Sequence, residues 1–188
     1  MGSSYLSINE ARHLLLEKAV PIREIATKKL LEANNCVLAE SVFSSIDVPL
    51  VTNSAMDGYA VEASLSIGKT LELSNRIPAG VSPSALKEGT AARIFTGAPL
   101  PIGADSVVVQ EEVFEAKGSV FMPSAISVGQ NVRQAGEDIA AGEEVLSSGH
   151  RLRAQDLGLL ASVGISSVMV KRTLKIAVFS TGNELVEP

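Results

Sequence analysis

The amino-acid sequence predicts a β-rich α+β fold on three observations. Between Val42 and Val132, short apolar runs alternate with Pro, Gly, Asn and Ser, which is the spacing of strands joined by tight turns in a barrel or sandwich. A capped amphipathic pattern opens the chain, and a second stretch of helical spacing runs from Ala154 to Ser162. Near the end, Leu174 to Phe179 is a nearly continuous apolar run, as in a parallel strand covered on both faces.

In chain order, Ser7-Ile8-Asn9-Glu10 has the capping-box spacing, and Ile8, Ala11, Leu14, Leu15, Lys18 and Ala19 trace one helical face that stops before Pro21. This predicts a helix of about three turns. Ile22 to Leu31 is short and mixed, so its composition allows helix or strand. Strands are expected at Tyr59 to Val61, Ala92 to Phe95, Ser106 to Gln110 and Ser119 to Met122. After Asp138 the rhythm changes: Gly142 to Gly149 reads as strand and turn, the Ala154 helix stops at Gly164, and Ser166 to Val170 reads as a strand. A single buried strand at Leu174 to Phe179 cannot supply its own neighbours, so the chain is expected to be a piece cut just inside a further domain.

Composition narrows the function classes. The 188 residues are 46% hydrophobic, enough for a real core. The net charge is −5 with basic residues scattered, which gives no electrostatic footprint for nucleic acid. The lone cysteine, Cys36, forms no internal disulfide, and no stretch approaches the roughly 18 apolar residues of a membrane helix. The chain therefore reads as soluble and cytoplasmic, with neither nucleic acid nor membrane as partner. His13 and His150 lack the spacing of metal ligands, and no P-loop, dinucleotide fingerprint or Ser-His-Asp arrangement is present.

Three polar loop clusters, and a fourth after the last apolar run, carry the candidate chemistry. Asp57 sits between Met56 and Gly58, where a glycine lets the backbone turn and present the carboxylate; a turn aspartate capping an amide is the alternative. Thr96 and Gly97 end an apolar run with a hydroxyl and a flexible backbone able to approach an anion. Arg133, Glu137 and Asp138 combine a guanidinium suited to phosphate with carboxylates suited to Mg²⁺, or else form a surface ion pair. Ser180, Thr181 and Glu184 follow the last apolar run, where an α/β sheet exposes its ligand site.

Taken in order, Asn53-Ser-Ala-Met-Asp-Gly-Tyr-Ala60, Arg93-Ile-Phe-Thr-Gly-Ala-Pro-Leu-Pro-Ile-Gly-Ala-Asp-Ser-Val-Val108, Gly136-Glu-Asp-Ile139 and Phe179-Ser-Thr-Gly-Asn-Glu-Leu185 resemble the molybdopterin molybdenumtransferases, MoeA-type proteins related to the E domain of gephyrin. The likeness runs from about Leu6 to Pro188. The resemblance implies insertion of molybdate into adenylylated molybdopterin with release of AMP in the presence of Mg²⁺. It implies a barrel-like β domain, 46–138, inserted into a mixed α/β domain made of 24–45 and 139–173. The helix within 1–23 would pack on a truncated molybdopterin-binding α/β domain that starts within 174–188. A homodimer with its cleft shared between subunits, and a molybdopterin adenylyltransferase as upstream partner, are implied as well.

Carried onto matching positions, the resemblance makes Asp57, Thr96, Asp138 and Glu184 catalytic candidates. Arg133, Gly97, Ser180 and Thr181 become substrate-binding candidates, and Asp57, Asp138 and Glu184 candidate Mg²⁺ ligands. The chain departs from the family pattern at Asn35-Cys36, where relatives often have Gly-Arg, at Val51-Thr52, and at Asn183, where an Asp is common. Asn35 can keep the left-handed turn that glycine would supply. Two readings stand beside the transferase: a non-catalytic dimerisation or scaffold piece of the same family, and an unrelated Mg²⁺-dependent phosphoryl-transfer enzyme.

Overall fold

A computed structural model describes residues 6–179 together with Gly182, Glu184 and Val186. In chain order the elements are α1 (Ile8–Glu17), β1 (Ile25–Lys29), β2 (Val42–Phe43), β3 (Asn53–Ser54), β4 (Gly58–Val61), α2 (Ala63–Ser66), β5 (Thr70–Ile77) and β6 (Thr90–Ile94). They continue with β7 (Ser106–Val109), β8 (Phe114–Ala116), β9 (Ser119–Phe121), β10 (Val132–Arg133), β11 (Glu144–Leu146), α3 (Ala154–Ser162) and β12 (Ser167–Lys171). The fold is β-rich with few helices. By internal contacts it divides into one unit of Met1–Val42, Leu146–Ala161 and Ile165–Pro188, and a second of Phe43–Val145 with Ser162–Gly164.

The second unit is built on an open six-stranded sheet in the order β7-β4-β6-β5-β9-β8. All its pairs are antiparallel except β5 with β6. Side-chain alternation gives each face its own core. Tyr59, Val61, Leu71, Ala91, Val108, Val120 and Met122 cluster on one face, and Ala60, Ile77, Ala92, Ile94, Ala98 and Val107 on the other. Burial on both faces explains why β4 and β7 read as continuous apolar runs rather than alternating ones. At the start of β4 there is no room for a side chain. A Cβ on Gly58 would stand 2.1 Å from the Val108 carbonyl oxygen, an atom of the neighbouring strand's backbone.

The strand β5, the longest among the described residues, escaped the sequence reading because its alternation breaks in the middle. The register moves from Leu73↔Ala91 to Asn75↔Ala92, so Ser74 is an extra, bulged residue. Its hydroxyl donates to the Ala91 carbonyl at 3.2 Å. Beyond the bulge Arg76 faces the side that Leu73 faced, and Ile77 joins the opposite core.

The first unit closes through contacts remote in sequence. β1 pairs antiparallel with β12, from Ile25↔Lys171 to Lys29↔Ser167. The Leu38 amide donates to the His150 carbonyl, and the Lys171 amide to that of Val37. Leu38, Leu152, Leu160 and Val170 are fully enclosed. The segment left open between helix and strand is thus β1 followed by a 3₁₀ turn at Leu30–Glu32. Asn35 adopts φ 63°, the left-handed conformation anticipated for it. Cys36 accepts a 3.4 Å contact from the Lys28 ammonium. The capping box of α1 forms as expected, with Ser7 and Glu10 bonded reciprocally, but no residue of α1 is buried.

One expectation fails. No strand forms over Leu174 to Phe179, and Leu174, Ile176, Val178 and Phe179 are exposed. An apolar run becomes a parallel strand only when neighbouring strands accept its ladder, and none among the described residues does.

The helix α3 starts with a buried carboxylate. Asp156 accepts from the Arg153 amide at 2.8 Å and from the Arg153 guanidinium at 3.1 and 3.3 Å, and it pairs with His150 Nε2 at 2.8 Å. These bonds hold its carboxyl far below the usual carboxylate range, the Arg153 guanidinium contributing most. A depressed folded-state pKa contributes stability that is full above the unfolded value and is lost as pH falls below it, about 3.9. Asp156→Asn should therefore lower the melting temperature at pH 7 and flatten its decline between neutral and acidic pH, as followed by circular dichroism. Gly58→Ala should cost about 3 kcal/mol or abolish folding, read from denaturant midpoints, because backbone rather than a flexible side chain blocks the new methyl group.

Candidate functional site

The residue types and spacing around Asp57 build a rigid loop. Ser54 makes a local turn in which its hydroxyl donates to the Met56 carbonyl at 2.5 Å and accepts from the Met56 amide at 3.3 Å. The Ala55 amide reaches the Asn131 carbonyl and the Gln110 amide reaches the Asp57 carbonyl, so the loop is tied on both sides. Asp57 then emerges at the N-terminal edge of β4. Its Oδ1 accepts from both the amide and the hydroxyl of Thr96, each at 2.8 Å.

Asp57 is therefore a capping aspartate, as the plainer sequence reading allowed, but its partner is 39 residues away rather than local. Both described bonds fall on Oδ1. The Thr96 amide and then its hydroxyl hold the carboxyl below its ordinary range, with a smaller contribution from the Arg93 charge. Among the described residues no cationic side chain bonds it, and its lowered carboxyl keeps this partly exposed side chain negatively charged at neutral pH. Gly97 takes φ +77°, which only glycine adopts freely, and turns the chain back toward β3. Its amide donates to the Ser54 carbonyl, and the Ala98 amide to that of Phe95. With Thr96 engaged as well, the three amides of this turn are committed to protein acceptors. The turn shapes the site instead of cradling an anion.

Arg133 and Asp138 form a second cluster on the ribbon of β3 and β10, where Arg133 pairs in register with Asn53. The Arg133 guanidinium bonds Asp138 Oδ1 through Nη2 at 2.6 Å and Glu137 Oε1 through Nε at 3.3 Å. Glu137 also accepts from the Gln134 amide at 2.9 Å. Asp138 and then Glu137 raise the guanidinium's affinity for its proton. The ion-pair reading of these residues is thus the geometry observed, and the pair of acids offsets the arginine's charge. The strand β3 joins the two clusters, since Ser54 fixes the Gly97 turn and Asn53 faces Arg133.

Glu184 is exposed and belongs to the other unit. Ser180 and Thr181 lie outside the described residues. Among the described residues, no three His, Cys, Asp or Glu side chains converge as a complete protein cage for a metal would require. Asp57 with its free Oδ2 fits the other common arrangement, in which one or two carboxylates share a hard cation with water and phosphate oxygens.

Sequence reasoning missed Arg93. Its guanidinium donates to the Gly58 carbonyl at 2.9 Å and to Gln110 Oε1, and lies over the rings of Tyr59 and Phe95. It thereby braces the backbone immediately after Asp57. The available signal was a charged residue flanked by Ala92 and Ile94 in an otherwise apolar run. Tyr59, bonded through its hydroxyl to Glu115, is pushed up to about 12 by burial and by that carboxylate, so it stays neutral.

The family described as MoeA N-terminal region (domain I and II) matches residues 6–164. A molybdopterin molybdenumtransferase of Haemophilus influenzae is 40% identical over 186 residues, covering 97% of this chain and 46% of the relative. Molybdopterin molybdenumtransferase 2 of Mycobacterium tuberculosis is 36% identical over 189 residues, with coverage of 97% and 46%. A crystal structure of the molybdopterin biosynthesis MoeA protein from Pyrococcus horikoshii OT3 superposes with a TM-score of 0.81 at 34% identity, covering 87% of this chain and 45% of that one. A second structure of a P. horikoshii MoeA protein gives 0.83 at 33% identity, with 98% and 49% coverage. The chain thus spans about half the length of the curated relatives it matches.

The hydroxyl and amide of Thr96 act together on one oxygen, and they are separable by mutation. Thr96→Val should keep the amide bond, remove the hydroxyl bond and move the Asp57 carboxyl upward toward its ordinary value. Carboxyl ¹³C chemical shifts followed through a pH titration read this directly; an unmoved Asp57 titration would mean that the hydroxyl contributes nothing.

Proposed function

Since the chain belongs to the family of MoeA N-terminal regions, with a role in molybdenum cofactor biosynthesis, we propose that it supplies part of the active site of a molybdopterin molybdenumtransferase. In this reading the whole enzyme inserts molybdate into adenylylated molybdopterin and releases AMP. The observation that carries the assignment is Asp57: an anionic, partly exposed carboxylate held in one orientation by neutral donors, with one oxygen left over. That combination suits a ligand for Mg²⁺ or an acceptor for a proton of the reacting oxyanion.

Asp57 would hold Mg²⁺ together with water and phosphate oxygens, and the cation would offset charge on the phosphate as AMP leaves. Thr96 orients Asp57, and Gly97 sets the turn that presents Thr96. Arg133, paired with Asp138 and Glu137, would be held in place by those acids to meet an incoming oxyanion with the donors they leave free. Asp138 on this view tunes Arg133 and is a weaker candidate for the cation, because a guanidinium occupies its Oδ1. Glu184, with Ser180 and Thr181, would act from the family's molybdopterin-binding part, reaching this site across a homodimer. A molybdopterin adenylyltransferase would supply the substrate, in the cytoplasm. The barrel-like closure implied by the family resemblance would concern the same six-stranded sheet.

The test is molybdate-dependent AMP release from adenylylated molybdopterin, comparing this chain alone, the chain mixed with the remaining length of a relative, and a full-length relative. Release from the mixture and not from the chain alone is the expected result. Folded chain that gives no release in either setting would favour the non-catalytic scaffold reading. Asp57→Asn placed in the complete enzyme should lower the release rate on the order of a hundredfold with unchanged melting. Nucleotide hydrolysis without pterin would instead point to a separate phosphoryl-transfer activity.

A further inference from the structure

We propose that the concave surface over β5 and β6 is a second anion site, taking inorganic phosphate or a phosphate monoester between Arg76 and Arg93. The bulge at Ser74 is what creates it. Without the extra residue, strand alternation would send Arg76 to the opposite face; with it, Arg76 stands directly beside Arg93 in the parallel register. Neighbouring strands lie about 4.8 Å apart, so two positive side chains are held side by side, an arrangement that repels unless an anion or acid lies between.

The two guanidinium groups are fixed rather than free. Both central carbons lie 4.8 Å from the centroid of the Phe95 ring, and that of Arg93 lies also 5.1 Å from the Tyr59 ring. Stacking engages the guanidinium faces and leaves N–H edges for ligands. Arg93 uses two of its donors on Gly58 and Gln110. Arg76 forms no ion pair among the described residues. Around them lies a cavity of about 500 Å³, lined also by Leu73, Ser74, Asn75 and Glu115.

The other polar groups there are already committed. The Asn75 amide donates to the Ser84 hydroxyl at 2.9 Å, the Ser74 hydroxyl donates to Ala91, and Glu115 accepts from Tyr59. Glu115 offsets one arginine, which leaves one positive charge in excess. Two planar forks on adjacent strands match the several oxygens of a tetrahedral phosphate.

Isothermal titration of this chain with inorganic phosphate and with glycerol 3-phosphate, at ionic strength held constant with chloride, tests the site. Saturable binding is expected, weakened about tenfold by Arg76→Met and tightened by Glu115→Gln. Lys117→Met, which removes a cation from the turn between β8 and β9, should leave it unchanged. Arg76 is exposed, so its variant should fold, and a circular dichroism melt checks this. Equal affinity for the two probes assigns the site to the bare oxyanion, and tighter glycerol 3-phosphate assigns it to a monoester whose organic part fills the cavity. Absence of saturable binding by the unmodified chain, or equal weakening by Lys117→Met, overturns the proposal. Neither result bears on AMP release, which reports on Asp57.

Discussion

The close approach of β4 to β7 at Gly58 is the constraint on which the site depends. A strand between two neighbours must present its backbone to both, and here one of them comes so near that only glycine fits. That closeness fixes where β4 begins, and Asp57 is the residue just before it. The Gly58 carbonyl anchors Arg93, Arg93 stacks on Tyr59 and Phe95, and Phe95 leads directly into Thr96, the partner of Asp57. Packing of the sheet and orientation of the carboxylate are therefore one problem with one solution.

Three aspartates show how surroundings divide a single side-chain type into different roles. Asp156 is buried against His150 and Arg153 and starts a helix, so its charge is spent on structure. Asp138 is solvent-facing and paired with Arg133. Asp57 is bonded by neutral donors alone, which stabilise the anion without cancelling it. Hydrogen bonds from an amide and a hydroxyl lower a carboxyl's pKa as a cation does, yet leave the net charge available to a ligand. That difference makes Asp57 the strongest candidate for chemistry among them.

The bulge at Ser74 illustrates how one residue changes what a sheet face offers. An inserted residue reverses the parity of everything after it, so Ile77 enters one core and Arg76 reaches the other side. A hydrophobic core position and a charged surface position are settled by the same local event. Its energetic support is modest: one hydroxyl-to-carbonyl bond and the apolar burial of Ile77.

Much of the fold was legible because the relevant physics is local. The capping box at Ser7, the helix from Ala154 to Ser162, and the strands at Tyr59, Ala92, Ser106 and Ser119 follow from spacing, capping and turn residues within a few positions. The ordered motifs around Asp57, Thr96 and Asp138 likewise identified the family. What the sequence by itself could not decide are the relations between distant segments. Leu174 to Phe179 has the composition of a buried strand but pairs with no strand among the described residues, and Thr70 to Ile77 is a strand despite Ser74 and Asn75 because β6 and β9 receive it. Only the tertiary structure joined Thr96 to Asp57 and set Arg76 beside Arg93, since a hydrogen bond or a charge pair depends on position in space, and strand register fixes that position across gaps that no local pattern spans.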